Sequence, residues 1–362
     1  MSIDRSSRLN GSRATITQVA DRAHVSVSTV SLAFRESGPI SARMRSHVLQ
    51  VASEVGYTGP NPIAHSLKSG SMGIVGVAIA EQIAHAFDNP TTIETMNGLS
   101  LALEEAGHSM LLLQASAKVD ARTLRRLSTV PLDALIFISR GEPFTELVEL
   151  ARKHGIAMVG VEGPYADDIS SVEIADEEGM GQLADIVQAH GHRNVGVLMR
   201  TTRLGYCGPP GDVVPIDTDI DLIANPTIRG RLRAVAQRFP QAVRVEAAAR
   251  DSNAGEAAAR ALLTSNPDIS VIMAQNDLLA EGALRAAQAS GLSVPEDLSI
   301  TGFDGLHLPW LARSLTTMSQ PLEERGRCAG RLANQIIEDP HAVQHIRFET
   351  SFVAGDTLGD AR

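Results

Sequence analysis

The polar residues best suited to binding a small molecule each follow a short apolar run, where a buried strand is predicted to end: Glu162, Asn276, Asp277 and Asp304. Ligands of parallel sheets bind outside the carboxyl ends of the strands. Carboxylates and carboxamides accept and donate hydrogen bonds in pairs, so they suit vicinal hydroxyl groups such as those of a sugar. Because Asx side chains also cap helices and turns, Asp277 can instead be a helix cap and Asp304 a turn cap.

Motifs for catalysis and metal binding are missing from the sequence. It contains no phosphate loop, no GxSxG nucleophile elbow and no HExxH pair. Asp217, Asp219 and Asp221 resemble the start of a calcium loop, but Leu222 and Ile228 stand where that loop needs Gly and Glu. We therefore expect no enzyme activity, no catalytic residue, no cofactor and no metal site.

A second group of polar residues lies on two short predicted helices between Thr15 and Phe34. Thr15 and Gln18 have the spacing of a capping box, and Ser26 is placed to cap the second helix. The residues expected on the outer face of that helix are Val27, Ser28, Ser31 and Leu32. This order is typical of a helix-turn-helix, whose second helix enters the DNA major groove; an ordinary helical hairpin is the alternative.

A third predicted helix covers residues 42–55, with Ser41 as its cap, Met44 on its inward face and Gly56 as its stop. At this point residues 1–70 resemble the headpiece of the lactose-repressor family of bacterial transcription factors. The residues that carry the resemblance are Val19-Ala20, Val25-Ser26, Thr29-Val30-Ser31, Gly56-Tyr57, Pro60-Asn61, Ile63-Ala64 and Leu67. The resemblance continues through the rest of the chain.

The resemblance implies a DNA-binding headpiece at residues 1–60 and a hinge helix or linker at 61–71. In relatives the hinge folds on DNA and inserts a Leu into the minor groove; here that residue is Leu67, although a core position is the alternative. The residues implied to contact DNA are Thr15, Gln18, Ser26, Val27, Ser28, Thr29, Ser31, Leu32, Ser41, Arg43, Asn61, Ala64 and Leu67.

From Met72 onward, short apolar runs alternate with amphipathic stretches, which is typical of βα units around parallel sheets. The resemblance implies a type I periplasmic-binding-protein architecture, with two doubly wound α/β lobes and a ligand cleft between them. The effector-binding and dimerisation domain is then 72–362. We expect one lobe at 72–170 plus 320–340 and the other at 171–318 plus 341–362, with a last strand over residues 346–353.

The resemblance also implies a set of effector-binding residues, namely Asn89, Glu162, Arg229, Asn276 and Asp304. Relatives carry an anchoring Arg where Thr227 stands in our alignment, and either Arg229 or Arg231 can take its place. Relatives that bind purines have aromatic residues where Thr91 and Thr92 stand here. We therefore expect a small sugar-like effector rather than a nucleobase.

The headpiece departs from its relatives at two positions. His24 replaces the usual turn glycine, which requires that His accepts a left-handed conformation if the backbone φ is positive. Leu32 stands where many relatives place a base-reading Arg. An apolar side chain there can contact a thymine methyl group but cannot hydrogen bond to guanine.

The net charge of −10 is unevenly distributed: residues 1–70 carry +4 and the remainder −14. A basic end on an acidic body is typical of a tethered nucleic-acid-binding module. Cys207 and Cys328 are too few for a disulfide framework, and the first residues lack the apolar core of a signal peptide. No apolar run approaches the roughly 20 residues that span a membrane. We expect a cytoplasmic protein without a membrane partner.

These observations predict a ligand-responsive transcriptional repressor of catabolic or transport genes. It should bind palindromic double-stranded operator DNA as a homodimer, because one short recognition helix reads too few bases for genomic specificity. A higher oligomer is an open alternative. The alternative function is that of a cytoplasmic nucleoside- or sugar-binding protein that activates transcription or needs a co-repressor.

Overall fold

The computed structural model describes most of the chain in two compact units, residues 1–72 and 73–362. The described residues are 14–34, 39–59, 72–80, 83–115, 124–125, 127–139, 141, 144–202 and 209–362. The predicted hinge contacts Asn61, Ala64 and Leu67 lie outside them and stay predictions.

The first unit is a small all-α bundle formed by α1 (Ile16–Ala23), α2 (Val27–Ala33) and α3 (Ala42–Val55). Its core consists of small and β-branched side chains, so the short helices can approach closely. The buried residues are Val19, Ala20, Ala23, Val30, Ala33, Val48, Val51 and Ala52. The aromatic rings of Phe34 and Tyr57 meet edge to face, with centroids 5.4 Å apart, and close one side of this core.

The predicted bounds of the third helix are confirmed, but one core assignment is wrong. Met44 does not face inward and is 37% exposed, because it lies in the first turn, before α3 reaches the other helices. His24 ends α1 in the left-handed conformation, with φ at 54°, as a positive φ at this turn requires.

The second unit alternates strands and helices, as the sequence predicts. Its strands are β1 (Ile74–Ile79), β2 (Ser109–Gln114), β3 (Ala134–Ile138), β4 (Ala157–Val161), β5 (Ser170–Ile174), β6 (Val195–Met199), β7 (Val214–Pro215), β8 (Val243–Glu246), β9 (Val271–Ala274), β10 (Ser299–Asp304), β11 (Thr316–Ser319), β12 (His345–Phe348) and β13 (Ser351–Val353). The helices in its described part are α4 (Ile83–Asp88), α5 (Pro90–Glu105), α6 (Thr145–His154), α7 (Asp176–Ala189), α8 (Pro226–Arg238), α9 (Ser252–Ser265), α10 (Asp277–Ala289) and α11 (Leu322–Glu338).

These strands form two sheets, which define a first and a second lobe. The first sheet has the order β12-β5-β4-β3-β1-β2, and its pairs are parallel. The second has the order β13-β11-β10-β9-β6-β8-β7, with antiparallel strands only at its two edges. Two mainly parallel sheets covered by helices confirm the predicted α/β two-lobed fold.

The strand pairing differs from the predicted lobe division. Strand β5 belongs to the first sheet, and the strand predicted over residues 346–353 is two short strands in different sheets, β12 in the first and β13 in the second. The polar pair Glu349 and Thr350 separates them. Alternating polarity marks a strand but does not say which sheet it joins, so this crossover was not predictable from the pattern.

Helices α5 and α11 pack closely on the first sheet, although they come from opposite ends of the unit. A Cβ atom on Gly98 would overlap the backbone of Glu323, and one on Gly326 would overlap the backbone of Thr95. Glycine is therefore required at both positions for the two helix backbones to meet. Within the described ranges, no helix is both long and apolar enough to cross a membrane.

Candidate functional site

The N-terminal ends of the headpiece helices present an exposed group of hydroxyls. Thr15 and Gln18 form the predicted capping box: each side chain accepts from the other residue's backbone N–H, at 3.3 and 2.8 Å. The Ser26 side chain accepts from the Thr29 N–H at 3.1 Å and lies 2.7 Å from the Ser28 hydroxyl. The capping box fixes the start of α1, and Ser26 fixes the start of α2, the end at which a recognition helix meets base edges.

The predicted base-reading residues differ in exposure. Val27 is 44% exposed and Ser28 is exposed, whereas Thr29, Ser31 and Leu32 are half-buried. The first turn of α2 contains no acidic residue. At the next helix, Ser41 accepts from the Met44 N–H at 3.2 Å, and Arg43 is exposed beside it. Uncompensated helix N-termini and an exposed guanidinium suit DNA phosphates.

The second candidate site lies where strands of both lobes end. Four neighbouring parallel strands of the second sheet are β11, β10, β9 and β6, and the residues at or directly after their ends are Gln320, Asp304, Gln275 and Arg200. In the first sheet, Glu162 directly follows β4. All five side chains are buried. Together with Thr91, Arg231, Asp277 and Arg325, they form what we call the cleft cluster.

A chain of hydrogen bonds connects the two lobes through this cluster. Arg325 donates from Nη2 to Glu162 Oε1 at 2.7 Å and from Nη1 to the Gln320 side chain. Gln320 in turn donates to Asp304 Oδ1 at 2.6 Å. The Thr91 hydroxyl lies 3.4 Å from Asp304 Oδ2. Asp304 in the second lobe is thus joined to Glu162 and Thr91 in the first.

Glu162 remains charged although it is buried. Burial alone would raise the pKa of Glu162, but the positive charges of Arg325 and Arg200 and the hydrogen bond from Arg325 outweigh it and lower that pKa to about 2. Its second oxygen, Oε2, is buried and has no hydrogen-bond partner among the described residues. A ligand hydroxyl can donate to this oxygen.

Asp277 and Asp304 behave differently from Glu162. Burial and the neighbouring Asp304 raise the pKa of Asp277 to about 7, against hydrogen bonds from Thr317 Oγ1 at 2.6 Å and from the Leu306 N–H at 2.7 Å. Burial also raises the pKa of Asp304. Burial therefore disfavours the charged form of both acids, and the charge of Asp304 adds to this effect at Asp277.

The expectation that Asp277 caps its helix is wrong. Asn276 is the N-cap of α10 and accepts from the Leu279 N–H at 2.8 Å, while its amide lies 3.4 Å from the Arg250 carbonyl oxygen. Asp277 points instead into the buried network. In the sequence both residues are good caps, so their order alone could not decide between them.

Arg231, and not Arg229, faces the cleft cluster. Its guanidinium donates to Asp176 at 2.7 Å and to the backbone oxygen of Gln275, and lies 3.6 Å above the Phe303 ring centre. Arg229 donates to the backbone oxygen of Ile223 and lines a pocket of about 500 Å³ beside α6. Residues two apart on a helix point to nearly opposite sides, so only one of the two arginines can reach the strand ends.

The predicted effector residue Asn89 lies next to the cluster. It caps α5 by accepting from the Thr92 N–H at 3.3 Å. Thr91, two residues later, is the member of this turn that reaches Asp304. The structure therefore brings Glu162, Asp304 and Arg231 together, with Asn276 at the head of the adjoining helix, and leaves Arg229 outside.

Comparison with known proteins identifies a known domain in each of the two units. Residues 15–61 match the family described as "Bacterial regulatory proteins, lacI family", and residues 184–358 match the "Periplasmic binding protein-like domain". An HTH-type transcriptional regulator of Mycolicibacterium smegmatis is 32% identical, over 96% of this chain and 97% of its own length. The chain belongs to the lacI family of bacterial regulatory proteins. It is therefore a DNA-binding transcriptional regulator.

Three further similar proteins share less sequence identity with this chain. The ribose operon repressor of Halalkalibacterium halodurans is 28% identical over 95% of this chain and 96% of its own. Among solved structures, the Lac repressor dimer bound to operator and an anti-inducer has a TM-score of 0.72 at 19% identity, covering 96% of this chain and 99% of that one. The CelR–cellobiose complex has a TM-score of 0.63 at 22% identity, covering 95% and 100%. These two structures share the fold.

Sequence reasoning missed two arginines of this lacI-family cleft. Arg325 lies on α11, and Arg200 directly follows β6. Arg200 is 6% exposed, and burial and Arg231 lower its pKa to about 10. A charged residue directly after a fully buried strand was the available signal, because strand ends face the ligand site.

Proposed function

We propose that this lacI-family regulator is a cytoplasmic repressor that binds palindromic operator DNA as a homodimer and responds to a sugar-like ligand in the cleft. The observation that carries the proposal is the hydrogen-bonded chain from Glu162 through Arg325 and Gln320 to Asp304. It surrounds one buried region with donors and acceptors of both lobes. Such convergent polar groups in a cleft are typical of sites that bind polar small molecules.

The ligand's effect on DNA binding follows from the position of the site. A molecule that bonds to Glu162 in the first lobe and to Asp304 in the second stabilises the arrangement in which the lobes are closed. It therefore shifts the population of lobe arrangements in proportion to its preference for that state. We expect this shift to reach the DNA through the hinge at 61–71. The names of relatives, a ribose operon repressor and a cellobiose-bound CelR, support a sugar as the ligand.

The DNA-binding part of the proposal rests on the headpiece. The start of the recognition helix presents the exposed Val27 and the hydroxyl groups of Ser26, Ser28 and Thr29. Arg43 lies at the start of α3. Operator affinity should fall steeply with added salt, because phosphate contacts release counterions. The polypeptide 71–362 should lose operator binding and keep ligand binding; specific operator binding by it would contradict the assignment.

The test of the proposal has two measurements. An operator is selected from random double-stranded DNA, and its affinity is measured by fluorescence anisotropy with and without each member of a panel of sugars, sugar phosphates and nucleosides. The same panel is screened by thermal shift, because a cleft ligand stabilises the protein in proportion to ln(1 + [L]/Kd). Weaker operator binding with a bound ligand indicates an inducible repressor; stronger binding indicates co-repression.

The site itself is tested by substitution. Asp304→Asn and Asn276→Ala should weaken ligand binding and the ligand's effect on DNA, since both residues lie at the cleft. Asp185→Asn is the matched control, because that carboxylate pairs with Arg238 on the surface of the second lobe. Normal ligand affinity by calorimetry in both cleft variants would remove this site from consideration.

A further inference from the structure

We propose that the ligand of the cleft carries an oxyanion, a carboxylate or a phosphate, bound by the Nε and Nη2 edge of Arg200. The inference rests on the proposed function in that it takes the cleft to be a ligand site. It adds a charge to the ligand, so that the expected class is a hydroxylated acid or a phosphorylated sugar rather than a neutral sugar.

The first observation is that Arg200 is buried without a partner on that edge. The side chain is 6% exposed, and neither Nε nor Nη2 has a hydrogen-bond partner among the described residues. Its backbone N–H donates to the Gln275 side chain at 3.2 Å, which fixes the residue at the carboxyl end of β6. A buried charged donor left unpaired is costly, so a partner is expected in the working state.

The second observation is what the same two atoms do elsewhere in this protein. Arg152 donates from Nε and Nη2 to the two carboxylate oxygens of Asp168, each at 2.7 Å. Arg238 does the same with Asp185, at 2.7 and 3.1 Å. This side of a guanidinium matches a carboxylate or phosphate with two parallel hydrogen bonds. Arg200 presents the same pair of donors, and the part of the chain that the structure describes supplies no acceptor for them.

The third observation is that the nearby carboxylates are already engaged. Glu162 is paired with Arg325 at 2.7 Å, Asp176 with Arg231 at 2.6 Å, and Asp304 is held by Gln320. The charges of Glu162, Asp176 and Asp304 still act on Arg200, so it lies close to them without bonding to them through this edge.

The chemistry of the ligand follows from cleft groups that lack a hydrogen-bond partner within the described ranges. Glu162 Oε2 is a buried acceptor without a donor, and Arg200 Nε and Nη2, together with Arg325 Nε, are buried donors without an acceptor. Arg200 is the residue that leaves a pair of parallel donors unmatched. A molecule with a hydroxyl group at one end and an oxyanion at the other satisfies both Glu162 and Arg200. A neutral sugar satisfies Glu162 but offers Arg200 only single, uncharged acceptors, which make weaker hydrogen bonds.

The experiment compares matched ligands on wild-type protein and three variants. Glucose, glucuronate and glucose 6-phosphate form one set, and ribose and ribose 5-phosphate another; inorganic phosphate and acetate serve as probes that need no correct sugar. Thermal shift is measured at equal ionic strength, adjusted with sodium chloride, and calorimetry follows for each ligand that binds. The variants are Arg200→Gln, Arg200→Lys and the control Arg238→Gln, which removes the same two donors from a surface pair.

We expect phosphate or acetate to stabilise the wild-type protein and Arg238→Gln, and to have no such effect on Arg200→Gln. Anionic sugars should bind the wild type at least about tenfold more tightly than their neutral counterparts, and Arg200→Gln should remove that preference. Arg200→Lys should keep part of it, because it retains the charge and loses the paired geometry. A larger effect of acetate and glucuronate identifies a carboxylate; a larger effect of the phosphates identifies a phosphate.

Two results would overturn the proposal. One is an equal response of wild type and Arg200→Gln to every anion. The other is equal affinity of the wild-type protein for an anionic sugar and its neutral counterpart, which would show that the cleft does not select an oxyanion. The proposed function fails differently: the wild-type protein would then bind no selected operator, or bind one without any response to a ligand, while the anion measurements on Arg200 keep their meaning.

Discussion

The headpiece and the cleft cluster are two polar sites built in opposite ways. In the headpiece, the hydroxyls of Ser26, Ser28 and Thr29 come from within four consecutive positions and lie at the protein surface. In the cleft, the groups come from positions as distant as Thr91 and Arg325 and are largely buried. The first site is organised by local caps, whereas the second exists only once both lobes have folded.

This difference determines how each site responds to mutation. Exposed groups that bind a macromolecule are solvated in the free protein, so their loss changes DNA affinity more than stability. Buried charged groups interact in a low-dielectric environment, and each requires its partner. We therefore expect cleft substitutions to change the free energy of unfolding and headpiece substitutions to change DNA recognition.

The largest effect is expected from Arg325→Met. It leaves Glu162 charged and buried without its 2.7 Å partner, which should lower the free energy of unfolding by about 3–5 kcal/mol. Urea denaturation measures the change. The matched control, Asp168→Ala, breaks the exposed Arg152 pair and should cost less than about 1 kcal/mol. Equal losses would show that burial does not distinguish the two pairs.

The Glu162–Arg325 pair also predicts that the free energy of unfolding decreases at acid pH. The pKa of Glu162 falls from its ordinary value of 4.5 to about 2 in the folded protein, so its contribution is present above pH 4.5 and is lost as the pH falls toward 2. Glu162→Gln should remove this part of the pH dependence of urea unfolding. An unchanged decrease at acid pH in that variant would assign the transition to other carboxylates.

A smaller effect of opposite sign is expected at Asp277. Its folded pKa of about 7 lies above the ordinary 3.8, so its contribution to wild-type stability should be greatest below pH 3.8 and decline as the pH rises toward 7. Asp277→Asn should flatten this decline, because the amide stays neutral and can still bond to Thr317. Parallel profiles for wild type and variant between these pH values would contradict the raised pKa.

In the headpiece, Leu32→Arg should change recognition rather than stability. The half-buried Leu32 lies on the outer side of α2, and an Arg there should shift the preferred half-site base toward guanine by about 1–3 kcal/mol. Selection from random DNA measures the preference, and Leu49→Arg, an exposed apolar position on α3, is the control. The same selected sequence for wild type and Leu32→Arg would show that residue 32 does not face the bases.

The smallest effect is expected from Ser26→Ala, which removes the hydroxyl that caps α2. The loss of its 3.1 Å bond to the Thr29 N–H should lower the free energy of headpiece unfolding by about 1 kcal/mol. Ser26→Asp, which preserves a capping acceptor, should keep the helix but weaken DNA binding through its charge. Normal operator affinity of Ser26→Asp would place this helix end away from the phosphates.

The sequence predicted most of what depends on neighbouring residues. The capping box of Thr15 with Gln18, the cap at Ser26 and the bounds of α3 are each confirmed, because a cap is a contact across three residues. The strand ends at Glu162 and Asp304 were also found, since a buried run followed by an acid marks the carboxyl edge of a sheet.

What failed depends on direction or on distant partners. Arg229 and Arg231 are two residues apart on one helix, and only the position of the second sheet decides which is buried. The choice between Asn276 and Asp277 as cap depends on Thr317, forty residues away from Asp277. Arg200 and Arg325 were missed because a buried Arg is unusual, and the acid that holds Arg325 is 163 residues away in the sequence.

The glycine contact between α5 and α11 determines which part of this protein can complete its core first during synthesis. Gly98 meets the backbone of Glu323, and β12 at His345–Phe348 forms the outer edge of the first sheet. On the ribosome, all residues of the headpiece core have been synthesised once residue 57 has emerged. The first lobe lacks α11 and β12 until nearly the whole chain has been synthesised. Every nascent copy can therefore complete its headpiece core before it has a cleft that could bind a ligand.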